Sequence, residues 1–151
     1  MWRKYGLAVS SGGTAVNTML AACGVGYGDE VIVPPFTDIA TIEAVLLAGV
    51  LPVRRDRRHA CMSAEGIRRH QPETAVVLLV QMCGAAADRT GIKALCKEKN
   101  IQLIEDSAQA PRRLPRKILG TFGRMGSFLA TTFEINTCGE GGVVITDDHR
   151  L

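Results

Sequence analysis

What most constrains this chain is the way short apolar runs alternate with helical patterns along most of its length. The runs are Leu7-Val9, Glu30-Val33, Leu51-Val53, Ala75-Val80, Ile101-Ile104, Ser127-Thr131 and Val143-Thr146. Each has the length and the boundaries of a strand. Between the first five lie amphipathic repeats. Val16, Met19, Leu20 and Cys23 recur at i, i+3, i+4 and i+7, which predicts a helix closed by Gly24. Asp38 is placed to cap a helix carrying Ile39, Ile42 and Leu46 and ending at Gly49. Asp88 is placed to cap another, with Ile92, Leu95 and Cys96 facing inward and Asn100 beyond its end. Apolar strands separated by such helices predict an α/β fold, its sheet covered on both faces. The last two runs differ. Only a glycine-rich stretch ending Gly139-Glu140-Gly141-Gly142 precedes Val143, so these two strands are expected to pair antiparallel. Pro111 and Pro115 flank the basic stretch Arg112-Arg113-Leu114-Pro115-Arg116-Lys117 and predict a loop there.

A chain of 151 residues, 46% of them hydrophobic, can bury the core such a fold needs, and residues 1–151 read as a single domain. No apolar stretch approaches the roughly 20 residues that span a bilayer, and no export signal is visible, so a cytoplasmic protein without a membrane partner is expected. The five cysteines (Cys23, Cys61, Cys83, Cys96 and Cys138) are scattered without metal-ligand spacing and read as buried small hydrophobes, with no metal site. Arg54, Arg55, Arg57, Arg58, Arg68 and Arg69 cluster, but the net charge is only +3 and no aromatics interleave them. A solvated basic face fits this better than a nucleic-acid groove.

In an open α/β sheet, ligands sit beyond the carboxyl ends of the parallel strands. Ser10-Ser11-Gly12-Gly13-Thr14 follows a strand and opens a helix, where free backbone N–H groups favour an anion; a plain capped turn accounts for it equally well. Ile104-Glu105-Asp106-Ser107-Ala108-Gln109 ends a buried strand with two carboxylates and an amide. Asp106 suits either a ligand cation or a helix cap.

Taken in order, Ser10-Ser11-Gly12, Gly28 to Thr37, Glu105 to Ala110, Gly120-Thr121-Phe122-Gly123 and Gly139 to Gly142 resemble the DegT/DnrJ/StrS family of sugar aminotransferases, pyridoxal-phosphate enzymes of fold type I. The resemblance spans roughly residues 5–151. It implies a large-domain core, a three-layer αβα arrangement with a seven-stranded, mostly parallel sheet. It also implies roles for single residues. Asp106 falls where the family's aspartate meets the pyridine nitrogen of the cofactor, and Gln109 where a glutamine contacts the phenolic-oxygen side of the ring. Gly12 falls in the phosphate-cradling turn. Other positions depart from the pattern. Gly13 stands where the family has a phosphate-holding threonine, with Thr14 one residue later. Leu129 stands at a phosphate serine, and Asp38 at the aromatic that often covers the ring.

The largest departure is Glu134, which falls at the Schiff-base lysine. The lysines present are Lys4, Lys93, Lys97, Lys99 and Lys117, none of them at that point. A carboxylate can move protons but cannot form an imine with the cofactor aldehyde. The resemblance therefore implies a shortened, catalytically impaired relative, binding pyridoxal phosphate or pyridoxamine phosphate weakly and without a covalent bond. It also implies a homodimer and a nucleotide-sugar ligand. Two other readings remain open: a binding or regulatory module that pairs with a full-length relative, and a dehydratase-like enzyme using Glu134 as acid/base.

Overall fold

A computed structural model of the chain describes residues 3–54, 62–84, 87–109, 119–130 and 139–150. Glu134, Cys61, Cys138, Arg55, Arg57, Arg58, the end of the predicted strand at Thr131 and the predicted loop at 112–117 lie outside the described residues.

The elements run β1 (Tyr5–Val9), α1 (Gly12–Ala22), β2 (Glu30–Val33), α2 (Ile39–Leu47), β3 (Leu51–Arg54), α3 (Ala64–Ile67), β4 (Thr74–Val80), α4 (Arg89–Lys99), β5 (Gln102–Asp106), β6 (Met125–Leu129) and β7 (Gly142–Thr146). The strands form one seven-stranded sheet in the order β1-β7-β6-β5-β4-β2-β3. Pairing is parallel from β3 through β2, β4 and β5 to β6. β7 then runs antiparallel to both its neighbours, β6 and β1.

Strand β4 shows why the sheet is covered on both sides. Its residues are almost all buried, and successive side chains point to opposite faces. Val76, Leu78 and Val80 enter one core with Val16, Met19 and Leu20 of α1 and Ala44 and Val45 of α2. Val77 and Leu79 enter the other with Ile67 of α3 and Ile92, Leu95 and Cys96 of α4. Ile32 of β2 and Leu103 of β5 share that second face, while Val31, Val33 and Ile104 share the first. The result is three layers, helices on either side of the sheet.

The predicted caps hold. Asp38 accepts the Ala40 N–H at 2.9 Å to start α2, and Asp88 accepts the Gly91 N–H at 3.1 Å to start α4. Asn100 ends α4 in the left-handed conformation, φ 55°. The helix α3, a single turn capped by Ser63, is absent from the apolar periodicity because it is only four residues long. Among the described residues no helix is long and apolar enough to cross a membrane.

Candidate functional site

The carboxyl ends of β4, β5 and β6 meet the N-termini of α1 and α2 around one cleft of about 340 Å³. Its lining brings together Gly12, Gly13, Asp38, Asp106 and Gln109, residues separated by up to about a hundred positions in the chain. Leu129 lines the same cleft.

Asp106 is the last residue of β5, which runs two residues further than its apolar pattern. It shares a sheet face with Ile104, and its register partner on β6 is Ser127. One carboxylate oxygen accepts the Ala108 N–H at 3.1 Å and the Ser127 hydroxyl at 3.4 Å. Asp106 is therefore buried and oriented by a turn, and it does not cap a helix. The preceding residue, Glu105, points to the opposite face. It is fully buried and accepts backbone N–H groups from Gly120 at 3.2 Å, from Gly123 at 2.9 Å and from Phe122. The family-like Gly120 to Gly123 segment is thus anchored on Glu105.

Gln109 lies just beyond, its Oε1 accepting the Cys83 N–H at 3.0 Å. Cys83 has φ 52° in the turn after β4. This turn carries the thiol outward, and Cys83 is exposed, contrary to the buried role expected for the cysteines. Cys96 is buried as expected, and Cys23 is half-buried.

At α1, Ser11 is the N-cap, and its hydroxyl accepts the Thr14 N–H at 3.1 Å. The Thr14 hydroxyl lies 3.0 Å from the Ser11 hydroxyl and 3.1 Å from that of Ser10. Behind this turn, Gly142 of β7 passes so close to the Ser11 carbonyl that a Cβ would collide with it. Across the cleft, a Cβ on Gly12 would stand 2.8 Å from Leu129 Cδ1. Gly12 is thus the residue that lets the helix N-terminus approach β6.

The charged side chains of the described lining are Asp38, Glu43 and Asp106, all acidic. Sequence reasoning missed Glu43. It follows Asp38 on α2, but nothing in the periodicity of that helix distinguishes it from an ordinary solvent-facing residue. Met82, also in the lining, was missed because it sits in the single 3₁₀ turn after β4.

The sequence pattern of the DegT/DnrJ/EryC1/StrS aminotransferase family matches residues 1–151. The chain is 40% identical over 148 residues to an L-glutamine:2-deoxy-scyllo-inosose aminotransferase of Micromonospora echinospora, covering 94% of this chain and 35% of that relative. It is 39% identical over 152 residues to a UDP-N-acetyl-3-dehydro-alpha-D-glucosamine 3-aminotransferase of Acidithiobacillus ferrooxidans, covering 97% of this chain and 41% of that one. Among solved structures, an aminotransferase from Psychrobacter cryohalolentis superposes with a TM-score of 0.93 at 35% identity, over 98% of this chain and 39% of its own. NtdA from Bacillus subtilis, solved with bound cofactor PMP, superposes with a TM-score of 0.90 at 28% identity, over 98% of this chain and 34% of its own. The chain therefore spans less than half the length of these relatives.

Proposed function

The chain belongs to the DegT/DnrJ/EryC1/StrS aminotransferase family, and we propose that it is the cofactor-domain core of a sugar aminotransferase, impaired in amino-group transfer. The observation that carries this reading is the cleft itself. Asp106 and Gln109 line it together with Gly12 and Gly13, the first residues of α1. A buried carboxylate held by Ala108 and Ser127 suits a protonated ring nitrogen, and Gln109 offers an amide to the ring's oxygen side. The ring end of a pyridoxal-type cofactor therefore fits. The phosphate end does not, because Leu129 lies against Gly12. Bound in such a site, a pyridoxal cofactor supplies an electron sink, while the protein supplies orientation and proton transfer. Glu134, at the family's lysine position, has no amine with which to hold the cofactor covalently. Weak, reversible binding follows.

The relatives' substrates suggest a keto sugar, nucleotide-linked or free, as the ancestral ligand class. Self-association belongs to the same reading. Phe36, Ile39, Leu46, Leu47 and Leu51 are large apolar side chains left exposed around α2 and β3, an area that a second copy would cover.

The test uses the full chain. Incubation with pyridoxal phosphate and borohydride should leave no reduced cofactor on the peptide carrying residue 134. Amino transfer from glutamate to a keto-sugar nucleotide should be undetectable. Robust turnover by the unmodified chain would overturn the proposal and the alignment of Glu134 beneath it.

A further inference from the structure

We infer that the cleft has exchanged its anion seat for an apolar one and selects an unphosphorylated, cationic pyridine ligand of the pyridoxamine type over the corresponding phosphate ester. The inference rests on the proposed reading of Asp106 and Gln109 as the ring-binding end.

Three independent features of the cleft lead there. The first is steric. A helix N-terminus attracts anions through N–H groups that have no partner within the helix. In α1 the Thr14 N–H is taken by the Ser11 hydroxyl and the Ala15 N–H by the Ser11 carbonyl at 3.0 Å. Gly12 and Gly13, which open this helix, line the cleft together with Leu129. A single carbon added to Gly12 would meet Leu129 Cδ1 at 2.8 Å and its Cβ and Cγ at 3.4 Å each. Leu129 therefore crowds this end of the cleft with carbon, where a phosphoryl group needs donors.

The second feature is the state of the hydroxyls. The hydroxyls of Ser10, Ser11 and Thr14, at the start of α1, are turned onto one another at 3.0–3.1 Å. Swinging the Ser11 hydroxyl away from Thr14 toward a ligand would cost the bond that caps α1.

The third is charge. Asp38, Glu43 and Asp106 already place negative charge around the cavity, and Asp38 is fixed there by its cap to Ala40. A phosphate monoester adds roughly −1.5 to −2 at neutral pH. Among the described residues the charge of the lining therefore opposes that addition, and Asp106, the buried one of the three, is complementary to a protonated ring. Leu129 supplies the apolar surface against which a bare hydroxymethyl arm packs.

Calorimetry on the full chain with pyridoxamine and pyridoxamine 5′-phosphate tests this directly, since neither carries an aldehyde that would label lysines at random. The unmodified chain should bind pyridoxamine at least tenfold more tightly than its phosphate. Leu129→Ser should shift that ratio at least tenfold toward the phosphate, and Leu129→Ala should shift it less, by removing the obstruction without adding a donor. Because Leu129 is only half-buried, both variants should keep the thermal melt of the parent. Equal or tighter binding of the phosphate by the unmodified chain overturns the inference, and so does a ratio unmoved by Leu129→Ser. Asp106→Asn separates the inference from the reading beneath it. If pyridoxamine is preferred but its affinity ignores Asp106→Asn, the ring-end assignment fails while the loss of the anion seat stands. If neither compound binds at millimolar concentration, both fail.

Discussion

Glu105 and Asp106 are neighbours in sequence, but the pleat of β5 sends them to opposite faces. As a string of residues they read alike, two carboxylates closing an apolar run. The resemblance singles out Asp106, whereas Glu105 stays unremarkable because its partners arrive from a loop 15 to 18 residues later. Glu105→Ala would strand three N–H groups, each worth about 1–3 kcal/mol when buried and left unsatisfied, so a loss of at least about 3 kcal/mol is expected in urea denaturation. The cysteines give a second residue-level prediction. Burial pushes the Cys96 thiol up to about 11, and does the same at Cys23 against a smaller opposing pull from Arg124. An unfolded chain releases these protons near 9.0, while the folded chain holds them to about 11. The stability they contribute is therefore complete below about pH 9 and is lost as pH rises toward 11. Urea melts across that window should show the decline, and replacing both thiols by alanine should flatten it. At pH 8, iodoacetamide should label exposed Cys83 well before Cys96, as peptide mapping would show.

Helix ends were the most legible elements, because a cap is a local event. Asp38 and Asp88 announce α2 and α4 through bonds that span two or three residues. Strand ends were less so. β6 lies two residues earlier than its apolar run, and β5 ends two residues later than its own because its polar tail is satisfied by the neighbouring strand and loop. A four-residue helix such as α3 cannot display a helical period at all. The cleft was legible as separate glycines and carboxylates, but the contact of Leu129 with Gly12 exists only once β6 lies beside α1. Asn100 offers a test of the capping logic. At φ 55° and ψ 35° it holds a conformation that costs any residue with a Cβ, though asparagine less than most. Asn100→Gly should leave thermal stability unchanged or raise it slightly, and Asn100→Ala should lower it by about 1 kcal/mol. Differential scanning calorimetry would read both.

At the scale of the whole molecule, the exposed apolar side chains around α2 and β3, together with Tyr5 and Leu7 on β1, exceed what an isolated domain comfortably leaves in water. Sedimentation velocity should show a dimer at micromolar concentration, and a monodisperse monomer at high concentration would refute that expectation. The reversed strand β7 carries a consequence of a different kind. Its antiparallel pairing sets Tyr5 opposite Thr146 and Val9 opposite Gly142, so among the described strands β1 pairs only with one made more than 130 residues later. Every other strand has a partner already synthesised, or soon to be, when it leaves the ribosome. β1 must wait for well over a hundred residues, which at 5–20 residues per second is on the order of 10–30 s. During that interval its open backbone and the apolar side chains Tyr5 and Leu7 are available to any passing edge strand. The β1–β7 pairing is thus the contact of longest sequence separation in the sheet, the one that loop closure makes slowest to form.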